Sequence, residues 1–179
     1  MRPPVDEARL RAFARGLAEH TRTPMTLYLT GGSTAVLFGW RETTVDIDIR
    51  VEPDLDEAFR ALPRLKLQLD INVETASPPD FIPELDGWRE RSPIAFTEGS
   101  VTVRHFDPYS QALAKIERGF AQDLDDVRSM ARSGLIETAR LLVLFAEAEE
   151  RLFRYPAINP REFRDKVEQA VAGLDGELT

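Results

Sequence analysis

The chain has 179 residues, no cysteine, 42% hydrophobic and 30% charged residues, and a formal net charge of −8 at pH 7. That length suits one domain, or one small catalytic domain with a helical appendage, and the composition excludes a disordered chain, a disulfide scaffold and a thiolate metal centre. Phosphate backbones are bound by lysine and arginine, so the net acidity also excludes a large nonspecific nucleic-acid surface, although residues 1–50 are nearly balanced in charge.

The first expected element is a helix over Asp6 to Glu19, with Leu10, Phe13 and Leu17 on one stripe, ending near Thr23-Pro24 and covering a sheet. The segment before it, Met1 to Glu7, has no apolar leader, and no run reaches membrane-spanning length, so the expectation is a cytoplasmic protein without a membrane partner. Apolar residues from Leu27 predict a strand, Gly31-Gly32-Ser33 a turn, and Ser33 to Phe38 a helix beginning there. Thr44 to Ile49 alternates with period two, setting Val45, Ile47 and Ile49 on one face and Asp46 and Asp48 on the other. A helix is expected from Pro53 to about Leu62, with Pro63 marking its end. Leu67 to Glu74 reads as a strand whose polar face shows Asp70, Asn72 and Glu74. An irregular proline-rich loop follows, with Trp88 packed in it. Ile94 to Phe96 and Val101 to Phe106 then form a hairpin about Glu98-Gly99-Ser100.

From Asp107 the pattern is helical. Asp107 is an N-cap, Pro108 a first helical residue, and Gly119 lies near the helix end. A second helix is expected from about Asp123 to Gly134, a largely buried apolar one over Ile136 to Arg154, and a last one from Asn159-Pro160 to about Gly173 with the stripe Phe163, Val167, Ala170 and Val171. The expected class is therefore α+β: a mixed sheet flanked by helices over 1–107, and a helical C-terminal region over 108–179 that completes the active site, the two forming one compact unit.

Two segments carry chemistry. Backbone N–H groups at a glycine-led helix start attract phosphate, Gly31 and Gly32 permit close backbone approach, and the Ser33 hydroxyl can donate to a phosphate oxygen. Asp46 and Asp48 repel one another unless a cation sits between them, and hard oxygen donors of this kind suit Mg²⁺. Twelve residues separate Ser33 from Asp46, enough for one short helix and a turn that return the chain beside the glycine strand. Together these features resemble the nucleotidyltransferase superfamily of the polymerase β type, whose signature is Gly-Ser or Gly-Gly-Ser, a short helix and Asp-x-Asp. The resemblance implies a polymerase β-like fold, Mg²⁺ or Mn²⁺ on Asp46 and Asp48, and a triphosphate on Gly31, Gly32 and Ser33. It further implies a third carboxylate on an adjacent strand, assigned to Asp70 with Glu74 as its substitute.

The second segment is Tyr109 to Val127. Lys115 and Arg118 adjoin on one helix face and could neutralise a triphosphate. The run resembles a nucleotidyltransferase branch in which Lys-x-x-Arg precedes Arg-Asp-x-x-Asp-Val. That branch includes the AbiEii and MenT toxin enzymes and, closer still, an uncharacterised bacterial nucleotidyltransferase family. The resemblance implies that Lys115 contacts the nucleotide phosphates and that Asp123 is the essential aspartate and base, with Asp126 as the second aspartate. Gln122 stands where that branch has arginine, and a neutral amide cannot make the same phosphate or carboxylate contact.

The function these readings imply is transfer of a nucleoside monophosphate from an NTP to an acceptor hydroxyl, with the tRNA 3′ end as acceptor and an antitoxin as protein partner if the toxin resemblance extends so far. Arg89 and Arg91 are candidate RNA contacts. The alternatives are a protein or small-molecule acceptor, and a non-catalytic nucleotide-binding module. His20 and His105 are isolated and read as surface or hairpin residues, with no second ligand at a metal spacing. Nothing in the sequence selects the nucleotide base or the oligomeric state.

Overall fold

The computed structural model describes residues 2–178; Met1 and Thr179, the outer ends of the two expected regions, lie outside the described residues. The chain divides into two compact units, one of Met1–Ser77 with Ser92–Phe106 and the other of Pro78–Arg91 with Asp107–Thr179. The segment 78–91, which reads in sequence as a loop of the sheet region, groups with the helices.

The first unit is a five-stranded mixed sheet with three helices. Its strands are β1 (Met25–Thr30), β2 (Asp46–Glu52), β3 (Asn72–Glu74), β4 (Ile94–Glu98) and β5 (Val101–His105), in the order β3-β2-β1-β5-β4. β1 runs antiparallel to β2 and parallel to β5, β2 is parallel to β3, and the β4–β5 hairpin is antiparallel. Side chains alternate across a strand, so Leu27, Leu29, Ile47, Ile49, Val51, Val101 and Val103 form one apolar face. Leu10, Phe13 and Leu17 of α1 (Glu7–His20) and Ala58, Ala61, Leu62 and Leu65 of α3 (Asp56–Gln68) complete that core. The opposite face carries Asp46, Asp48, Asn72 and Glu74. The short helix α2 (Gly32–Leu37) bridges β1 and the loop to β2.

Three sequence expectations change in this unit. Pro63 lies inside α3 instead of ending it. Its stripe of Ala58, Ala61, Leu62 and Leu65 continues at helical spacing past the proline, and the ring itself faces solvent, where the carbonyl it leaves unbonded can be hydrated. The strand expected over Leu67 to Glu74 therefore shrinks to β3. Leu67 is on the exposed side of the helix, Leu69 caps it, and Asp70 turns the chain with φ +48°. Val45 precedes β2 and is exposed rather than facing the core with Ile47.

The second unit is helical: α4 (Pro108–Arg118), α5 (Ala121–Arg132), α6 (Thr138–Glu149) and α7 (Pro160–Leu178), with short 3₁₀ turns at Pro78–Asp80 and Leu152–Arg154. Asp107 caps α4 by accepting from the backbone of Tyr109 and Ser110, and Gly119 closes it in the left-handed region at φ +73°. Asn159 caps α7 in the same manner, accepting from Arg161 and Glu162. α5 starts ahead of the expected Asp123, and α7 runs past Gly173 because Leu174 prolongs its buried stripe. Among the described residues no helix is long and apolar enough to cross a membrane.

Candidate active site

In the sheet unit the site starts from the register of β1 and β2. Thr30, the last residue of β1, stands opposite Asp48, so the turn that follows is delivered to the aspartate strand. Gly31 takes φ +62°, and a Cβ built on it would lie 3.1 Å from Asp48 Oδ2. Gly32 is closer packed still. A Cβ there would lie 2.1 Å from Thr44 Oγ1, 2.8 Å from Thr44 Cβ and 3.6 Å from Arg41 Nη1. Only glycine fits either position, and the arginine of the α2–β2 loop reaches the same turn. Thr44 is pinned by a two-way backbone bridge with Val5, at 2.7 Å and 2.8 Å. Ser33 is fully buried in the first turn of α2, and its hydroxyl makes no hydrogen bond.

Asp46 and Asp48 are half-buried and point to the sheet face opposite Ile47 and Ile49. In the parallel pair β2–β3, Asn72 stands beside Asp46 and Glu74 beside Asp48. Asn72 Nδ2 donates to Asp46 Oδ1 at 2.7 Å and to Glu74 Oε1 at 3.2 Å. Asp70 does not join them. It sits in the turn ahead of β3 and pairs with Arg2 at 3.6 Å, so the carboxylate at the adjoining register position is Glu74. Among the described residues no group of three or more His, Asp or Glu side chains is arranged to hold an ion unaided. Asp46 and Asp48 match the donor set of an ion that shares its coordination with phosphate oxygens.

In the helical unit, Lys115, Arg118, Asp123 and Asp126 form one ion cluster. Lys115 Nζ donates to Asp126 Oδ2 at 2.6 Å and to Asp123 Oδ1 at 3.2 Å, with all three residues about 4% exposed. Arg118 grips Asp123 with two bonds, Nε to Oδ2 at 2.7 Å and Nη2 to Oδ1 at 2.6 Å, while keeping its own side chain mostly exposed. Burial alone would raise the Asp123 pKa, but the hydrogen bond from Arg118 and the charge of Lys115 outweigh it and hold the carboxyl below its ordinary range. The spacing Lys-x-x-Arg and Asp-x-x-Asp thus meets across the α4–α5 turn as a mutually neutralised set.

The family follows from a match that spans nearly all of these residues. A family described as nucleotidyltransferase of unknown function (DUF6036) matches residues 8–170. The chain belongs to this nucleotidyltransferase family. No curated protein and no solved structure matches it significantly. The nucleotidyltransferase match takes in both the glycine–aspartate segment and the lysine–aspartate cluster, so neither lies outside the family's extent.

Several features of this nucleotidyltransferase were not visible as site features in its sequence. Asn72 is an ordinary polar residue until the parallel pairing of β2 and β3 sets it beside Asp46. His105, expected as a surface or hairpin residue, does end the second strand of the hairpin but is buried there, with Nδ1 3.3 Å from Thr34 Oγ1 and its ring 4.4 Å from that of Phe38. Burial lowers its pKa to about 4, so it is a neutral support under α2. Arg91, read as an RNA contact, instead bonds buried Asp107 through Nε at 3.0 Å and Nη2 at 2.8 Å. Trp88 is buried, as its size suggests, with Arg89 4.3 Å from its ring.

Proposed function

We propose that the chain transfers a nucleoside monophosphate from an NTP to an acceptor hydroxyl in a Mg²⁺-dependent reaction. The observation that carries this reading is the seating of Gly31 against Asp48, because it brings a glycine turn at a helix start and a carboxylate pair to one end of the β1–β2 pair. The unpartnered hydroxyl of Ser33 and the guanidinium of Arg41 at the same turn support it, since both complement phosphate oxygens. Asp46 and Asp48 would hold Mg²⁺ or Mn²⁺. A divalent ion so held supplies charge stabilisation at the attacking and leaving oxygens.

In the helical unit, the resemblance to toxin enzymes supports Lys115 as a phosphate contact and Asp123 as the proton acceptor. Both roles carry a condition set by their bonds. Lys115 must exchange one carboxylate for a phosphate, and Asp123 must be released by Arg118 before it can accept a proton. Arg118, the exposed member of the set, would have to move away, and its departure would raise the Asp123 pKa toward that of a usable base.

The tRNA 3′ end is the acceptor supported by that same resemblance, with an antitoxin protein as partner. A protein hydroxyl is the second reading, favoured by the net charge of −8 and by the commitment of Arg91 to Asp107. Incubation of the purified protein with each NTP labelled on its α-phosphate, Mg²⁺, total RNA and cell lysate separates them. Label in tRNA supports the first reading, label in protein the second, and no label with any triphosphate contradicts transferase activity.

A further inference from the structure

We propose that Asn72 is a positioning residue that sets Asp46 for the cation, and that its amide keeps the site dependent on the triphosphate for tight metal binding. The proposal rests on the metal reading above. Asn72 faces Asp46 across the parallel β2–β3 register, and Glu74 lies one pleat further along β3. One neutral amide nitrogen tethers both carboxylates, Asp46 at 2.7 Å and Glu74 at 3.2 Å. With Oδ1 of Asp46 so engaged, the rotation of its carboxylate is fixed, and Oδ2 remains for an ion shared with Asp48.

The direction of the amide is itself determined. Arg2 Nη1 donates to the carbonyl of Ile71 at 2.6 Å and approaches Asn72 Oδ1 at 3.5 Å. The amide oxygen thus faces a guanidinium while its nitrogen faces two carboxylates. The flipped amide would set a carbonyl oxygen against Asp46 and an N–H pair against Arg2, which is unfavourable on both sides. An aspartate in the same place would present a further carboxylate to Asp46, Asp48 and Glu74, a set whose repulsion Arg2 offsets on one side and protonation or a captured ion relieves on the other. The amide avoids that. It leaves two carboxylates for the cation and the rest of the coordination shell for phosphate oxygens.

Mn²⁺ binding to the full-length protein, followed by the electron paramagnetic resonance of free Mn²⁺ with and without a non-hydrolysable triphosphate analogue, tests this without relying on turnover. Wild type should bind Mn²⁺ weakly alone and more tightly with the analogue. Asn72→Ala should lose about tenfold in Mn²⁺ affinity with the analogue present, as removal of a ligand-orienting partner does. Asn72→Asp, of nearly the same size, should gain about tenfold for Mn²⁺ alone, by adding an oxygen donor. Wild-type affinity in Asn72→Ala, or no gain in Asn72→Asp, overturns the proposal; should Asn72→Ala melt prematurely, the Asn72→Asp arm decides. Asp48→Ala separates the two levels. Loss of binding there with wild-type behaviour in both Asn72 variants overturns only the positioning role, and no Mn²⁺ binding by wild type under either condition overturns the metal site with it.

Discussion

Gly31 turns its α-carbon onto Asp48, so that a side chain would crowd the glycine turn against the carboxylate: a Cβ would lie 3.1 Å from Oδ2. The two residues lie seventeen positions apart in the chain and meet because Thr30 pairs with Asp48. This contact makes the glycines and the Asp-x-Asp strand parts of one structure.

The two glycines should respond differently to substitution. Gly31→Ala must hold an alanine at φ +62° and ψ −129°, a backbone region that L residues rarely adopt, which costs about 1–3 kcal/mol, and it pushes on the Asp48 carboxylate. Gly32→Ala collides with Thr44, which its bridge to Val5 prevents from retreating, so a loss of about 1–3 kcal/mol is expected from overpacking. Urea denaturation should show Thr44→Gly recovering part of the Gly32→Ala loss and none of the Gly31→Ala loss.

Lys115 is a warning for mutational studies of this family. Its ammonium lies between two buried carboxylates, and removal of one partner of a buried pair costs about 3–5 kcal/mol. Lys115→Met should therefore be much less stable than wild type in urea denaturation, whatever its effect on catalysis. A variant of unchanged stability would show that water or a rearranged Arg118 takes over both carboxylates.

Arg118→Ala should raise the pKa of Asp123 by removing a two-bond donor, with Lys115 still in place. Carboxyl chemical shifts followed by NMR titration would show Asp123 losing its proton at a higher pH than in wild type. Coincident titration curves would show that Lys115 alone sets the Asp123 pKa.

His105 gives the fold an acid-sensitive point. The unfolded chain binds the His105 proton near its ordinary value of 6.5, and the folded chain only near 4. Between those values the unfolded state holds more protons, so the His105 contribution is present above pH 6.5 and is lost as pH falls toward 4, on the order of 3 kcal/mol in all. The stability of His105→Gln should decline less steeply across this window in urea denaturation at a series of pH values. Parallel declines would assign the acid sensitivity to carboxylates.

Where a pattern is local, the chain declares its fold. The capped starts of α4 and α7, the Gly99 hairpin and the period-two run about Ile47 and Ile49 all depend on neighbouring residues. Pro63 and the run from Leu67 mislead because tertiary burial of the α3 stripe overrides a local helix breaker, and the alternating leucines beyond it imitate a strand. The site divides along the same line. Gly31, Gly32, Asp46, Asp48, Lys115 and Asp123 are legible from motif spacing. Glu74 is legible only as a substitute for Asp70; its choice over Asp70, and the place of Asn72, depend on the register of a parallel strand pair, and the partner of Arg91 on the burial of the Asp107 cap, neither of which a linear pattern encodes.

The central claim is that Asp46 and Asp48 hold a metal-bound triphosphate against the glycine turn. Asp48→Asn tests it most directly, since it removes charge while keeping shape. Isothermal titration of wild type and Asp48→Asn with NTPs, in Mg²⁺ and in EDTA, should show Mg²⁺-dependent binding that the variant loses by about tenfold or more, consistent with one Mg²⁺ ligand carboxylate among few. Equal binding by both proteins, or binding by wild type that EDTA leaves unchanged, would contradict the account.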